Sequence, residues 1–188
     1  MDTQGHPPLT AALLDRELAA LGVLPRDHAK ADLLNVRPGP DQREPRETVE
    51  FCPQRGALGD RWLQKTWMYL PDGSPDPRVQ VAVGNSALIA LIQRLTGNFH
   101  HPGDTLLTGL DLSMDNLPAG SRLRVGAAVL EVSDVENDAC AKFAARHGAV
   151  VFNWIRDPAR RHLRLRGLFA RVLSPGLVRL GDPVEPLR

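Results

Sequence analysis

The sequence predicts a mainly β fold with peripheral helices, in the form of a closed, mostly antiparallel β-barrel. Many short apolar segments alternate with a period of two residues, and turns rich in glycine and proline separate them. Strands do not alternate regularly with long helices, as they would in a doubly wound sheet. The 188 residues are enough to bury about 70% of the unfolded surface, so folding requires neither a disulfide nor a metal.

The strands before the middle of the chain are predicted from alternation and from their turns. Residues 32–36 and 48–52 form the first two, and a polar, proline-rich loop over residues 37–46 separates them. Residues 78–83 form a third, in which every second residue is valine. We expect the loop to lie on the surface of the same domain.

Two hairpins are predicted in the second half. Residues 121–133 carry apolar side chains two apart on either side of Gly126, as the inner face of a hairpin requires. Residues 168–184 form the second hairpin, centred on Pro175-Gly176, which suits a type II turn with glycine at positive φ. Strands therefore dominate this half of the chain.

Three helices are predicted from apolar spacing and end signals. The first begins after Thr10, a suitable N-cap, and ends before Gly22. The second follows the Gly84-Asn85-Ser86 turn and stops at Gly97, and the third spans residues 138–147. We expect them to pack outside the barrel.

Composition and charge narrow the classes of function. A formal charge of +1 argues against a positive electrostatic potential over the whole domain, of the kind that would attract nucleic acid. No secretory signal is visible, and no segment approaches the roughly 20 apolar residues that cross a bilayer. Cys52 and Cys140 are too few and too far apart for a disulfide framework, which favours a reducing cytoplasm.

Common catalytic motifs are absent. The sequence contains no phosphate-binding G-x-x-x-x-G-K-[ST], no G-x-G-x-x-G, no G-x-S-x-G and no H-E-x-x-H. His100 and His101 are adjacent, but neighbouring residues on a strand point to opposite faces and no further ligand has a useful spacing. We interpret the pair as part of a polar loop.

The C-terminal part is locally basic, with eight arginines and three acids from Arg156 onward. Guanidinium groups in such a cluster could bind an oxyanion. The alternative is a solvated face, since Arg164 and Arg166 alternate with leucines like the outer side of a strand. We favour the solvated face for most of them, with one or two facing a site. The cluster comprises Arg156, Arg160, Arg161, Arg164 and Arg166.

Cys140 is the candidate for a catalytic or metal-binding residue. If Asp138 caps the helix that ends at Gly148, the thiol lies in the first helical turn, where free amides and the helix dipole favour thiolate. Lys142 would add to that effect and Asp138 would oppose it. A thiolate ligates soft metals or carries sulfur. Position alone leaves buried packing equally open, because free cysteine is often a core residue. Cys52 ends an apolar strand and is interpreted as structural.

Several segments, taken in order, resemble the MOSC domain family, named for the C-terminal domain of molybdenum cofactor sulfurase. Each motif is short, and their order over residues 49–184 carries the resemblance. The matching segments are GALGDR at 56–61, PGD at 102–104, LPAGSRLRVG at 117–126, Cys140, RGLFARV at 166–172, Gly176 and Gly181-Asp182.

The resemblance implies a MOSC-type barrel over residues 48–188, with the helix, strand and proline-rich loop of residues 1–47 packed on it. It also implies association with the molybdenum cofactor, molybdopterin, with Cys140 as molybdenum ligand or sulfur carrier. Asp60 and Gly59 match motif positions whose role is open between cofactor binding and structure. Arg61, Lys142 and Arg166 are the candidate anion contacts.

Three functions remain open. The first is reduction of N-hydroxylated small molecules by a molybdenum-dependent enzyme that receives electrons from a separate reductase. The second is a non-catalytic cofactor carrier or interaction module, and the third is sulfur transfer through a persulfide on Cys140, loaded by a cysteine desulfurase. The family's cysteine often follows proline or glycine, whereas Cys140 follows Asp138-Ala139. The first 48 residues are too few for the partner domain of larger relatives.

Overall fold

The computed structural model of the chain describes residues 8–100 and 103–188. Three α-helices are present in these ranges: α1 (Ala11–Ala20), α2 (Ser86–Thr96) and α3 (Ala141–Arg156). Short 3-10 helices lie at Arg61–Leu63, Pro77–Val79 and Pro158–Leu163. The strands are β1 (Ala29–Val36), β2 (Glu44–Arg46), β3 (Thr48–Cys52), β4 (Gly56–Ala57), β5 (Val81–Asn85), β6 (Leu106–Thr108), β7 (Arg122–Val125), β8 (Ala128–Glu136), β9 (Leu168–Ser174), β10 (Gly176–Arg179) and β11 (Pro183–Leu187).

Seven strands of the described ranges close into a barrel, in the order β1, β11, β7, β8, β9, β5, β6 and back to β1. The β5–β6 pair is parallel, and the other six pairs of the ring are antiparallel. The closed, mostly antiparallel barrel predicted from the sequence is therefore confirmed. The barrel is mixed, because one of its strand pairs is parallel. The parallel pair requires a crossover, which α2 supplies. The strand from the N-terminal segment, β1, lies in the barrel wall.

The core has two layers. Inside the barrel, alternate residues of each strand are buried, as in β7, where Leu123 and Val125 face inward and Arg122 and Arg124 face outward. All five residues of β5 are buried, because helices cover its outer side. The outer layer packs α1, α2 and α3 together. Its buried members are Leu14, Leu88, Leu91, Ile92, Phe143, Val151, Trp154, Ile155 and Leu165.

The first two helices agree with their predicted ends. Thr10 Oγ1 accepts a hydrogen bond from Leu13 N at 3.2 Å, and Gly22 has a φ of 74° directly after the helix. In α2 the cap is Asn85, whose side chain accepts from Leu88 N, and Gly97 closes the helix in the left-handed region. None of the helices in the described part of the chain has the length and apolar character needed to cross a membrane.

One predicted strand and one predicted loop were wrong in their bounds. Residues 77–79 form a 3-10 turn, and β5 starts only at Val81. Asp76 causes the difference, because it accepts Arg78 N and its carboxylate also draws the Arg78 guanidinium back, at 2.7 Å. The predicted loop over residues 37–46 ends in β2, which pairs with the last residues of β1.

The second predicted hairpin was also wrong. The chain leaves the barrel after β9, and β10 pairs with β3 in a separate three-stranded sheet, while β11 returns to pair with β7 and β1. Gly176 does not have a positive φ. Glycine is required there by proximity, since a Cβ at this position would lie 2.3 Å from Ala127 C.

Helix α3 is two helical segments joined at a sharp kink. Gly148, with φ 84° and ψ 165°, ends the first segment, where the sequence predicted the helix to end. The second segment continues to Arg156 and buries Val151, Trp154 and Ile155 against the other helices. The kink turns the chain back, so that Arg156 forms an ion pair with Asp138 at 3.0 Å.

Candidate functional site

Cys140 lies in the short connection between β8 and α3, and its side chain is exposed. The residue before it, Ala139, has a φ of 68°, in the left-handed region that L-residues rarely adopt. This turn directs the chain into the first helical segment. The connection is fixed by Asn137 Nδ2, which donates to Arg166 O at 3.3 Å. The packing alternative for the thiol does not hold, because the side chain is not in the core.

The predicted cap of this helix was wrong. The helix begins at Ala141, and Cys140 itself occupies the N-cap position without a capping hydrogen bond from its side chain. Asp138 is two residues too early and pairs with Arg156. The left-handed backbone of Ala139 interrupts the helical path, which explains why the helix starts later than the apolar spacing suggested.

Lys142, two residues after Cys140, forms an exposed ion pair with Asp41. The pKa of Asp41 is held below its usual value, first by the hydrogen bond from Lys142, and also by the charges of Arg43 and Arg146. Positive side chains from three separate segments therefore meet beside the start of α3. We call this set the basic cluster; it comprises Arg37, Arg43, Arg61, Lys142 and Arg146.

Arg43 interacts electrostatically with three other members of the basic cluster, Arg37, Arg61 and Arg146. Burial lowers its pKa, and so do the charges of Arg37, Arg146 and Arg61, whereas Asp41 opposes them. Its Nε is buried and has no hydrogen-bond partner among the residues that the structure describes. Gly103 lies so close that a Cβ there would be 2.9 Å from this nitrogen. The glycine thus allows the guanidinium to approach the backbone closely.

The two residues predicted from the GALGDR segment have different surroundings. The Asp60 carboxylate is almost fully buried and accepts hydrogen bonds from Arg37 N, Nε and Nη2 and from Trp62 N. Its described contacts are therefore all internal. Arg61, a member of the basic cluster, is half-buried, and its backbone N donates to Arg37 O at 2.9 Å. Gly59 has a φ of 92°, which accounts for glycine in that turn.

Arg166 is buried between the barrel wall and α3. Its Nη1 lies 2.7 Å from Asp104 Oδ1, and its guanidinium carbon lies 5.3 Å from the centre of the Phe143 ring. The second carboxylate oxygen, Asp104 Oδ2, is buried without a hydrogen-bond partner in the described ranges. Asp104 follows Gly103 in the chain, and its Oδ2 lies beside Gly84, where a Cβ would be 3.2 Å away.

The alternation of Arg164 and Arg166 with leucines does not reflect the outer side of a strand. The segment before β9 is a 3-10 turn, and Arg164 closes it at φ 48° instead of lying on a strand. Its Nη1 donates to the carbonyl oxygens of Leu112 and Leu117. The other three arginines are ion-paired, Arg156 with Asp138, Arg160 with Asp15 and Asp157, and Arg161 with Glu136.

The histidine pair and the central PGD turn lie partly outside the described residues, which exclude His101 and Pro102. Within residues 8–100 and 103–188, no group of three or more histidine, cysteine or carboxylate side chains has the arrangement of a metal site. A single-thiol ligand set, as the resemblance implies for Cys140, is a different kind of site.

Sequence reasoning missed Arg37, Arg43 and Arg146. Arg37 and Arg43 lie in the segment interpreted as a surface loop, and Arg146 lies on the helix that follows Cys140, where no motif includes it. The available signal was the density of arginine in residues 37–46 close to a glycine-rich motif. Only the fold brings these segments to the start of α3.

The comparisons with known proteins agree with this fold. Residues 103–185 match the family model described as MOSC domain. The resemblance to the MOSC family predicted from the sequence is confirmed over this range, and that family is associated with the molybdenum cofactor. The matched range includes Asp104, Cys140 and Arg166, and the segments of Asp60 and Arg61 lie before it. A comparison with curated proteins finds no significant match.

Solved structures show the same architecture over most of the chain. The YUAD protein from Bacillus subtilis is similar with a TM-score of 0.62 and 21% identity, over 87% of this chain and 98% of that one. YiiM from Geobacillus stearothermophilus has a TM-score of 0.57 and 17% identity, over 85% and 75% of the two chains. YiiM from Escherichia coli has a TM-score of 0.54 and 17% identity, over 86% and 70%. At these identities the likeness concerns the fold.

Proposed function

We propose that this protein binds the molybdenum cofactor and uses the Cys140 thiol as the molybdenum ligand, in a reductase for N-hydroxylated small molecules. The observation that carries the proposal is the position of an exposed thiol beside the basic cluster. Lys142, two residues from Cys140, forms an ion pair with Asp41, and the charges of Arg43 and Arg146 also act on that carboxylate. A soft ligand next to several cations suits a group that combines a soft metal with a phosphate.

The buried groups near Gly103 support the same conclusion. Arg43 Nε is a donor and Asp104 Oδ2 an acceptor, and neither has a hydrogen-bond partner among the described residues. Leaving such groups unpaired costs about 1–3 kcal/mol each, so a ligand that pairs them gains stability. A pterin offers both N–H donors and carbonyl acceptors, and its phosphate suits guanidinium. These residues therefore fit the cofactor.

The chain's own contribution is to hold these groups in place. Asp60 fixes the Arg37 side chain, and the Arg61 backbone is bonded to Arg37, so part of the basic cluster is ordered before any ligand arrives.

We assign one role to each side chain of the site. The metal contact belongs to Cys140, and the phosphate contacts belong to four members of the basic cluster, Arg43, Arg61, Arg146 and Lys142. Arg166 acts beneath them by orienting Asp104. When bound, the cofactor would supply the two-electron chemistry and an open metal position for the substrate oxygen.

The proposal also includes a partner and a compartment. Electrons have to come from a separate reductase, because the sequence has no flavin, haem or iron–sulfur motif. Both cysteines are free, with Cys140 exposed, as expected for a protein of the reducing cytoplasm.

The experiment is expression in a host that makes the cofactor, followed by measurement of bound molybdenum and of oxidised-pterin fluorescence. We expect Cys140→Ala to lose molybdenum and Arg43→Met to lose both molybdenum and pterin. Cys52→Ala is the matched control and should retain both. Equal cofactor in the wild type and Cys140→Ala would overturn the ligand assignment.

A second candidate function is sulfur transfer, because an exposed thiol without a capping hydrogen bond is open to another protein. A cysteine desulfurase would then place a persulfide on Cys140. Mass spectrometry after incubation with such an enzyme and cysteine, without reductant, should show one added sulfur on the peptide that contains Cys140. Lack of the adduct would remove this candidate, and an adduct on Cys52 alone would do the same.

A further inference from the structure

A cleft of about 520 Å³ opens beside the connection that carries Cys140. Its walls come from the end of β8, the kinked end of α3, the segment over residues 164–168 and the loop over residues 114–119. Asn137 and Asp138 form part of its rim. Consecutive Cα atoms are about 3.8 Å apart, so the Cα of Asp138 lies within about 7.6 Å of that of Cys140. The volume suits a small organic molecule.

Most of the charged side chains of this cleft already have partners of opposite charge. Arg156 pairs with Asp138 at 3.0 Å, and Arg161 pairs with Glu136. The remaining acid of the lining, Asp134, lies 3.4 Å from Arg78. Each of these pairs neutralises itself, so none of them selects strongly for the charge of a ligand.

Arg164 is different, because no carboxylate lies within ion-pair distance of it in the described ranges. Nη1 donates to Leu112 O and Leu117 O, and these bonds hold the guanidinium half-buried at the cleft wall. Nε and Nη2 have no hydrogen-bond partner among the described residues. Burial lowers the pKa of Arg164, and the charge of Glu136, which lies beyond ion-pair distance, opposes this effect.

The rest of the lining is largely apolar. Ile155, Leu165 and Leu168 are buried side chains of the lining, and Met114 and Pro118 also line the cleft. An aromatic or aliphatic body would be desolvated against these residues. A carboxylate on that body would meet the free edge of the Arg164 guanidinium, which is suited to two parallel hydrogen bonds.

We infer that this cleft binds a small organic acid, a carboxylate attached to an apolar body of about one ring, with Arg164 as its anchor. The inference goes beyond the proposed function, since it requires neither molybdenum nor the basic cluster. A ligand in this cleft would nevertheless contact the connection that carries Cys140, which Asn137 and Asp138 bring to the rim.

The test uses the metal-free full chain and measures binding from changes in backbone amide NMR shifts. The three probes have similar shapes and different charges: benzoate, benzamide and benzylamine. We expect benzoate to shift the amides of Gly167 and Leu168 with a dissociation constant of about 1–10 mM, as its size predicts. Benzamide should bind at least about tenfold more weakly, since it lacks the charge. Benzylamine should produce no saturable shift.

Two substitutions assign the site. Arg164→Met should weaken benzoate at least about tenfold, and Arg161→Met, which removes an ion-paired cation of the same cleft, should change it less than about threefold. If Arg164→Met does not fold, Ala119→Trp decides, because Ala119 is exposed at the cleft wall and the larger side chain would block it. Equal binding of benzoate and benzamide, equal losses in the two arginine variants, or unchanged binding in Ala119→Trp would each overturn the inference.

Discussion

Asp60 holds Arg37 by two parallel hydrogen bonds, from Nε to Oδ2 at 2.7 Å and from Nη2 to Oδ1 at 2.8 Å. The same carboxylate accepts the backbone N–H groups of Arg37 and Trp62. Only 1% of the Asp60 side chain is exposed. One buried carboxylate therefore joins the end of β1 to the 3-10 turn at Arg61–Leu63 and orders an arginine of the basic cluster.

Asp60→Asn is expected to destabilise the protein by about 3 kcal/mol, since it removes the charge partner of Arg37 and places an amide where only acceptors fit. The free energy of unfolding from urea titration at neutral pH measures this. Asp72→Asn is the control, because Asp72 is exposed and bonds only within its own turn, and it should cost less than about 1 kcal/mol. Similar losses in the two variants would show that Asp60 is not structural.

Gly176→Ala is expected to cost more than about 2 kcal/mol, because the new Cβ would lie 2.3 Å from Ala127 C and 2.5 Å from Ala128 N. Two pieces of backbone would have to separate. Gly120→Ala provides the comparison: its φ is 86°, and a Cβ there meets nothing within 4 Å, so only the conformational cost of about 1–2 kcal/mol applies. Thermal unfolding of both variants measures which one is less stable. A lower melting temperature for Gly120→Ala than for Gly176→Ala would contradict the prediction.

The barrel was predictable because its determinants are local. Alternating residues in β7 and β8, the Thr10 and Asn85 caps and the glycines after α1 and α2 act through their immediate neighbours along the chain. The pairing of β10 was not predictable in this way. Pro175-Gly176 looks like a hairpin turn in sequence, and the reason for its glycine is the backbone of Ala127, which is distant in sequence.

The candidate site was predictable only in its motifs. Cys140, Lys142, Arg61 and Arg166 were found from local segments, and Lys142 and Arg61 do lie by the basic cluster. The position of Arg43 depends on Gly103, about sixty residues later in the chain, and no local pattern contains that contact. Arg166 looked like the outer face of a strand because its spacing was right, whereas burial against Asp104 is a property of the tertiary fold.

The two thiols are expected to react at different rates. Cys140 is exposed, whereas Cys52 is partly buried at the end of β3, with its Sγ 3.3 Å from Gln54 Oε1. A thiol-specific disulfide reagent applied to the native protein should therefore label Cys140 first, at a rate at least about tenfold faster. The single variants Cys52→Ser and Cys140→Ser assign the two phases, and loss of the fast phase in Cys52→Ser would contradict the prediction.

His147 should make the stability of the protein depend on pH. The ring is 5% exposed, packs on Phe143 at 4.6 Å between ring centres, and has Nδ1 3.4 Å from Thr96 Oγ1. Burial lowers its pKa, and the charges of Arg166, Arg146 and His100 lower it further. The unfolded chain, with a pKa of about 6.5, then binds the proton more readily than the folded protein. The stabilisation is complete above that pH and is lost as the pH falls towards the lower folded value.

The measurement is the free energy of unfolding at about pH 7.5 and about pH 5.5 in the wild type and in His147→Gln. The wild type should lose stability on acidification, and the variant should lose less, because its side chain does not titrate. His162→Gln, at an exposed position, is the control and should keep the wild-type difference between the two pH values. A His147→Gln variant with the full wild-type pH dependence would mean that the buried ring is not the group responsible.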